Sequence, residues 1–254
     1  MIKALRALST KLYLEVNEGL RSFQPLTTLT TCVLCQRPDS PSGLCRGCAK
    51  DLPYCPQACA RCGLPLTGIE ETPHLLCGEC LRRPPPFDSV KSLSLYAHPA
   101  NSLIQRYKFG GQRAYGRALA EELARHLAEE SRKPEALIPC PLHRRRLWGR
   151  GFNQAAEIAE WLGAALTIPV HYRLIERTRA TRTQTGLSRT ERLSNLRGAF
   201  RLTGKPPRHV ALVDDVFTTG ATATALAELL RKGGCQQVEV WTLARTDRSR
   251  ISPG

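Results

Sequence analysis

The feature that most limits the fold of this chain is an acidic pair that directly follows a run of apolar residues. Residues 209–213 are His-Val-Ala-Leu-Val, and Asp214 and Asp215 come next. The run predicts a central parallel strand that is buried on both faces. In open α/β sheets ligands bind at the carboxyl ends of the strands, so the aspartates fall where a ligand is expected. Because adjacent carboxylates repel each other, we expect a partner for them, such as a ribose diol or a metal ion.

The residues after the acidic pair have the composition of a phosphate cradle. A helix is predicted from about Ala221 to Lys232, where Gly233 and Gly234 end it. The open N–H groups and positive end of this helix suit a phosphate dianion, and Gly220 lets the backbone approach the ligand closely. The candidate phosphate ligands are Thr218, Thr219, Gly220, Ala221 and Thr222. An acidic pair beside such a cradle suits a molecule that carries both a ribose diol and a 5-phosphate. The alternative is a capped helix after a polar turn.

The cysteines form a second constellation, made of four Cys-x-x-Cys pairs. These pairs are Cys32/Cys35, Cys45/Cys48, Cys59/Cys62 and Cys77/Cys80. Two such pairs supply the four thiolates of a tetrahedral ion, so the eight cysteines predict two structural, non-catalytic zinc ions. Pairing the first with the second and the third with the fourth is the simplest arrangement. Crossed pairing, disulfides and an iron–sulfur centre remain as alternatives, and Cys55 falls outside the spacing.

Cysteine usage also bears on the compartment. A disulfide scaffold for export is normally short and begins with a signal peptide. Residues 1–23 instead predict an amphipathic helix interrupted by charged residues, without an apolar h-region. We find no stretch of about 18 apolar residues that would span a bilayer. We therefore expect a cytoplasmic protein whose reduced thiols bind metal.

The charge balance favours polyanionic partners. The chain has 37 Lys and Arg against 22 Asp and Glu, a net charge of +15. This excess suits nucleic acid, nucleotides or sugar phosphates, although an arginine-rich genome would also produce it. Aromatic residues make up 6% of the chain, which argues against a continuous row of stacking platforms for single strands. Ten Lys and Arg against two Glu between Arg173 and Arg208 suggest a cationic flap; the alternative is a solvated surface loop.

Apolar runs alternate with helical patterns after Phe87, which predicts an α/β sheet. Besides the strand at 209–213, the predicted strands are Ser92–Tyr96, Ala136–Cys140, Val170–Leu174 and Val238–Leu243. The other predicted helices are Asn101–Tyr107, Tyr115–Glu130 and Asn153–Ala165.

Val210–Thr222 resembles the 5-phosphoribosyl 1-pyrophosphate binding motif of type I phosphoribosyltransferases. Further stretches narrow the resemblance to the ComF family, which includes ComFC and the related GntX proteins. These stretches are Tyr107–Gly111, Pro139–Arg146 with Arg150–Gln154, and Gln184–Arg189 continuing through Arg192, Asn195 and Ala199-Phe200. The resemblance implies an open, mainly parallel sheet flanked by helices, preceded by a small zinc-ribbon domain.

The same resemblance implies roles for individual residues and a division into domains. Asp214 and Asp215 would be the catalytic pair and hold the ribose hydroxyls, directly or through Mg²⁺, while Thr218–Thr222 would hold the 5-phosphate. The pyrophosphate and acceptor side would comprise Lys108, Arg144, Arg145, Arg146, Arg150, Asn153, Gln184, Arg189 and Arg192. Residues from about 177 to 197 resemble a mobile hood that closes over the substrate. The expected domains are an amphipathic helix (1–29), a double zinc ribbon (30–82), a proline-rich linker (83–87), a phosphoribosyltransferase-like domain (88–247) and a tail (248–254).

Two functions remain open at this point. The chain offers a donor site for phosphoribosyl transfer, but it has no readable motif that would select an acceptor. The alternative is a non-catalytic module of the DNA-import machinery that senses a nucleotide and binds single-stranded DNA. What is known of the ComF family implies a role in natural competence and the use of external DNA, with single-stranded DNA and DNA-import proteins as partners.

Overall fold

The computed structural model describes residues 31–66, 74–142, 152–178, 196 and 198–247. Its strands are β1 Ser89–Leu95, β2 Ala136–Pro139, β3 Ile175–Arg177, β4 Phe200–Leu202, β5 His209–Phe217 and β6 Gln237–Arg245. Its helices are α1 Arg46–Lys50, α2 Gly78–Arg82, α3 Ala100–Gly110, α4 Arg113–Ala128, α5 Gln154–Leu166 and α6 Ala221–Lys232. Within these ranges, no helix combines the length and the apolar character that crossing a bilayer requires.

The main sheet has four parallel strands in the order β1-β6-β5-β2. Strand β6, the last strand among the described residues, does not lie at an edge, because it enters between β1 and β5. Strand β5 therefore has a neighbour on each side: Val213 pairs with Trp241 of β6 and Ala211 pairs with Leu137 of β2. The expected central parallel strand and the α/β class with helices around a mainly parallel sheet are both confirmed.

Helices cover both faces of the sheet. Val210 and Leu212 belong to the core beneath α6, whereas Ala211 and Val213 belong to the core beneath α3, α4 and α5. This alternation follows from the two-residue period of a strand, and both faces are apolar because both are covered. The same period directs the next two residues, Asp214 and Asp215, to opposite faces at the carboxyl end of β5.

One predicted strand is wrong. Of the segment Val170–Leu174, only Val170 makes a bridge, to Leu137 at the open edge of β2. The chain then turns, and the next strand, β3, starts at Ile175 and pairs antiparallel with β4. Because β2 is only four residues long, it offers this segment little edge to pair with. The apolar residues at 170 and 174 are therefore not parts of one extended strand.

Helices α3, α4 and α5 are joined by a polar cluster. The Tyr107 hydroxyl donates to Oε2 of Glu157 at 3.0 Å and lies 3.2 Å from the carbonyl oxygen of Gln154. The Arg113 guanidinium contacts Oε1 of Glu157 at 2.7 Å. Burial raises the pKa of Glu157, against the opposing charge of Arg113 and the hydrogen bond from Tyr107. Tyr107 itself is fully buried, so its hydroxyl fixes the end of α3 against α5.

We expect Tyr107→Phe to lower the free energy of unfolding by about 1–3 kcal/mol, because it removes the hydroxyl that donates to the buried Glu157 carboxylate, which then keeps its contact with Arg113 alone of the two. Urea unfolding of the metal-loaded protein measures this loss. Tyr115→Phe is the matched control, since its hydroxyl contacts the exposed Arg106 guanidinium at 3.1 Å; we expect a change within about 0.5 kcal/mol there. Equal losses in the two variants would contradict the assigned role of Tyr107.

Candidate functional site

The eight paired cysteines form two clusters. One contains Cys32, Cys35, Cys45 and Cys48, and the other contains Cys59, Cys62, Cys77 and Cys80. Within each cluster all four sulfur atoms lie within 4.8 Å of one another. Cys35 and Cys45 are separated by 3.6 Å between their Sγ atoms, and Cys62 and Cys77 by 3.7 Å. A tetrahedral ion with Zn–S bonds of about 2.3 Å places its sulfurs about 3.8 Å apart, so both clusters fit zinc.

The local backbone stabilises the thiolate form of three of these sulfurs, those of Cys32, Cys45 and Cys59. Helices α1 and α2 begin directly after Cys45 and Cys77, whose Sγ atoms accept from the amides of Cys48 and Cys80, each at 3.5 Å. Cys32 shows the electrostatic result. Burial opposes its ionisation, but amide donors from Cys35 and Cys45 among others outweigh burial and lower its pKa to about 6. Turn geometry therefore contributes to thiolate formation before any metal binds.

The clusters confirm the simplest pairing, first knuckle with second and third with fourth. Cys55 lies outside both clusters, and its thiol donates to the carbonyl oxygen of Gln57 at 3.2 Å. Because each cluster supplies four thiolates, neither has an open position for a substrate, which is the arrangement of a structural site.

The acidic pair lies at the carboxyl end of β5, where it was predicted. The ammonium of Lys108, in the last turn of α3, contacts Oδ2 of Asp215 at 2.8 Å. Both side chains are largely buried, with 16% of Lys108 and 15% of Asp215 exposed. Asp214 accepts a hydrogen bond from the amide of Asp215 at 2.9 Å. The protein itself thus supplies a partner for Asp215, the ammonium of Lys108. From the sequence we expected only a ligand or a metal ion in this role.

The carboxylate form of Asp214 is destabilised in the ligand-free protein. Burial, followed by the negative charge of Asp215, raises its pKa to about 7; the Asp215 amide and Lys108 oppose this shift. Burial and both aspartates also raise the pKa of the neighbouring Cys140 thiol, which hydrogen-bonds to Asp214. A hydroxyl pair or a divalent cation beside Asp214 would stabilise its carboxylate form.

The cradle follows within one turn of the chain. Gly220 adopts a left-handed conformation (φ 75°) and is the N-cap residue of α6. Gly220 has no side chain that could accept from the first-turn amides, and the Thr219 hydroxyl makes only a long contact with one of them, the amide of Ala221, at 3.4 Å. The start of α6 can therefore still offer amide donors to an anion. A Cβ at position 220 would lie 2.6 Å from Cζ of Phe217, so this turn requires glycine for space as well as for φ.

Asp214 and the cradle share one small cavity at this end of the sheet. Its other walls come from the end of β2, the β5–α6 turn and β6. The residues that line it are Cys140, Asp214, Val216, Phe217, Thr218, Thr219, Gly220, Ala221, Thr222, Ala223 and Val240. An acid and the amino end of a helix therefore face the same space, which suits a ligand with both hydroxyl and phosphate groups.

Comparison with known proteins decides the family. Residues 27–83 match the double zinc ribbon domain family. Over 213 residues the chain is 40% identical to competence protein F of Haemophilus influenzae, covering 80% of this chain and 91% of that protein. The chain belongs to the competence protein F family. The expected membership of the ComF family is thereby confirmed, and the two four-cysteine sites belong to a double zinc ribbon suited to structural zinc.

Other relatives extend this picture. The DNA utilization protein YhgH of Escherichia coli K12 is 37% identical over 229 residues, covering 87% of this chain and 99% of that protein. Competence protein ComFC of Streptococcus pneumoniae is 29% identical over 162 residues, covering 62% of this chain and 68% of that protein. Among solved structures, adenine phosphoribosyltransferase from Leishmania tarentolae has a TM-score of 0.35 and 12% identity, covering 55% of this chain and 74% of that chain.

In this member of the competence protein F family, the predicted pyrophosphate side is only partly described. Lys108 lies beside Asp215, and the Asn153 side chain forms the N-cap of α5, where its Oδ1 accepts from the amide of Ala155 at 3.1 Å. The other candidates lie outside the described residues: Arg144, Arg145, Arg146, Arg150, Gln184, Arg189 and Arg192. Most of the predicted hood, residues 177–197, also lies there, apart from Arg177 at the end of β3 and residues 178 and 196. The roles of these residues remain predictions.

Two residues at the site were missed from the sequence. Cys140 contacts Asp214, but a cysteine after a short apolar run carries no signal of such a contact. Arg245 ends β6 beside the cradle and is only 2% exposed. The apolar pattern predicted that this strand ends at Leu243, which left Arg245 in the following loop. A buried arginine cannot be distinguished from an exposed one by its position in the sequence alone.

We expect the purified protein to contain two zinc ions per chain, because the two clusters share no ligand. Elemental analysis by mass spectrometry measures the ratio. Cys35→Ser removes a ligand of the first cluster and should reduce the content to one ion per chain, while Cys55→Ser, outside both clusters, should leave it at two. A Cys55→Ser protein that loses an ion, or a wild-type protein with a single ion, would contradict the two-site assignment.

We expect Asp214→Asn to stabilise the ligand-free protein, because it removes a carboxylate whose pKa is raised to about 7 in the folded state. Ionisation of Asp214 opposes folding above its unfolded pKa near 4, and the cost is fully present above pH 7. The rise of this pKa from about 4 to about 7, at about 1.4 kcal/mol per pH unit, sets an upper limit of about 4 kcal/mol for the gain at pH 8, and the gain should vanish near pH 4. Thermal unfolding across this pH range tests the sign. The exposed residue Asp51 offers a control, because Asp51→Asn should show no such trend.

Proposed function

We propose that this chain binds 5-phosphoribosyl 1-pyrophosphate, together with Mg²⁺, at the carboxyl end of β5. The observation that supports the proposal most directly is the shared cavity, lined by both Asp214 and the residues of the Thr-Gly turn. A ribose 5-phosphate group carries a diol and a dianion on one small ring, and the two walls of the cavity match those two groups.

The cradle residues would bind the 5-phosphate. Amides at the start of α6, the positive end of that helix and the threonine hydroxyls all favour an anion. Glycine at 220 allows the turn its compact form, because the Cβ of any other residue would collide with the Phe217 ring. The backbone of this turn would then lie close to the phosphate. The phosphate would fix the ribose ring, and Asp214 would accept hydrogen bonds from its hydroxyls.

The acidic pair also fits Mg²⁺, since carboxylate oxygens are the ligands this ion prefers. Asp214, which lines the cavity, would hold the ion together with oxygens of the ligand, and Asp215 would add negative charge from the other face of β5. The ion would supply positive charge beside the pyrophosphate. Lys108 would then have a second role. Its ammonium neutralises Asp215 in the ligand-free protein, and it becomes available to the pyrophosphate when other positive charge reaches that carboxylate.

We further propose that the protein serves the uptake or use of external DNA in the cytoplasm. The names of its relatives, competence protein F and DNA utilization protein YhgH, support this role. The net charge of +15 suits contact with single-stranded DNA. Reduced thiols, which the zinc clusters need, are maintained in the cytoplasm.

Calorimetry with 5-phosphoribosyl 1-pyrophosphate tests the proposal. We expect binding that strengthens with Mg²⁺ and weakens at least about 100-fold in the Asp214→Ala, Asp215→Ala double variant, because charged hydrogen-bond partners are lost. Asp51→Ala, at the exposed end of α1, is the control and should bind as the wild type does. A wild-type protein that does not bind the ligand with or without Mg²⁺ would overturn the proposal.

A second assay separates transfer from binding alone. Pyrophosphate release in the presence of a panel of nucleobases would establish phosphoribosyl transfer. Binding without release across the panel would assign the site to sensing. In either case the acidic double variant should abolish the ligand response while DNA binding, measured separately, persists.

A further inference from the structure

The second zinc site lies directly against the phosphate cradle. Residues of the second cluster and of the cradle line a common crevice, together with the proline-rich linker and the end of β6. This crevice is lined by Cys62, Leu64, Glu79, Cys80, Arg83, Pro85, Phe87, Phe217, Thr219, Gly220, Thr224 and Arg245. Two of these residues, Cys62 and Cys80, are ligands of the second cluster. Metal site and anion site therefore share a wall.

Arg245 spans this boundary. Its Nε donates to the carbonyl oxygen of Cys62 at 2.9 Å. Its Nη1 donates to the carbonyl oxygen of Thr218 at 2.8 Å and lies 3.4 Å from that of Phe217. The same guanidinium lies over the Phe217 ring, 4.8 Å from its centroid. A single buried side chain thus connects a metal ligand with the first residues of the cradle.

The Phe217 ring lies between Arg245 and Gly220. On one side the ring meets Arg245, and on another it packs edge-on against Phe87 with centroids 5.7 Å apart. The ring also occupies the space where a Cβ of residue 220 would lie. A shift of Arg245 would therefore move the ring, and with it the residue that starts α6.

The first zinc site offers a contrast. Cys32 belongs to the core beneath α3, α4 and α5, on the opposite face of the sheet from α6. Nearby, the Tyr54 hydroxyl donates to Glu122 of α4 at 3.2 Å. Metal at this site can stabilise the fold, but it has no comparable contact to the cradle among the described residues.

We propose that Arg245 is a positioning residue through which metal at the second cluster holds the phosphate cradle in its binding conformation. One consequence, that loss of this metal weakens the affinity for the ligand, rests on the proposed function. The coupling between the metal site and the cradle backbone is independent of that function. Lysine cannot replace Arg245, because a single ammonium lacks the planar fork that reaches Cys62 and Thr218 together.

Amide hydrogen exchange in the ligand-free, full-length protein tests the coupling. The reporters are the amides of Thr246 and Thr224, which donate to the carbonyl oxygens of Phe217 and Gly220 at 3.0 and 2.8 Å. We expect Cys62→Ala and Arg245→Lys each to speed exchange at these two amides about tenfold, the range of typical coupling between sites. Cys35→Ala, at the first cluster, should change it less than twofold.

Arg231→Lys is the matched arginine control, because Arg231 contacts the carbonyl oxygen of Pro86 at 3.1 Å and Asp88 at 2.6 Å instead of the cradle. It should leave the two reporter amides unchanged. Unchanged exchange in Arg245→Lys would overturn the proposal, as would equal acceleration in Arg231→Lys. If Cys62→Ala fails to fold, the two arginine variants decide the question.

The ligand arm uses 5-phosphoribosyl 1-pyrophosphate and a double-variant cycle. We expect Cys62→Ala to weaken its binding about tenfold in the wild-type background but less than twofold in the Arg245→Lys background, because the connection is already lost there. Equal weakening in both backgrounds would show that Arg245 does not transmit the effect. If the wild-type protein does not bind the ligand, the proposed function fails, whereas the exchange experiment still decides the coupling.

Discussion

The ion pair between Lys108 and Asp215 is the contact on which the rest of the site depends. Two adjacent carboxylates at the end of a buried strand repel each other, and the protein neutralises one of them with an ammonium 2.8 Å away. Tyr107, the residue before Lys108, helps to position this ammonium. The hydrogen bond of Tyr107 to Glu157 fixes the end of α3 against α5. Among the described residues, Asp214 has no such ammonium beside it at this distance, and burial together with the charge of Asp215 raises its pKa to about 7. Helix packing on one face of the sheet thus leaves a carboxylate with a raised pKa beside the start of α6 on the other.

The double zinc ribbon extends this arrangement rather than standing apart from it. A segment of this size has little apolar surface to bury, so metal–thiolate bonds supply much of its folding free energy. Its two halves contact different parts of the sheet domain. The first cluster joins the core beneath α3 and α4, while the second contacts the turn between β5 and α6. A module whose first task is structural is therefore in a position to affect the ligand site.

Local signals predicted much of this architecture. Helix α6 begins and ends at the predicted residues, because glycines bound it on both sides and leave no competing pattern. The cysteine spacing predicted the simplest pairing, which the two clusters confirm. Contacts between distant segments were not predictable in the same way. The partner of Asp215 lies more than one hundred residues earlier in the chain, and the strand expected at 170–174 failed because the short edge of β2 does not continue beside it. Sequence patterns report local periodicity, whereas these features depend on which surfaces meet.

The proposed function requires Asp214 and the amides at the start of α6 to bind one ligand. Backbone and side-chain NMR during a titration with ribose 5-phosphate, which lacks pyrophosphate and so isolates this half of the site, tests it most directly. We expect the amide resonances of residues 219–222 to shift together with the Asp214 carboxyl resonance, with one common affinity, while the resonances of the first zinc cluster stay unchanged. Shifts confined to exposed basic residues, with the cradle amides and Asp214 unchanged at saturation, would contradict it.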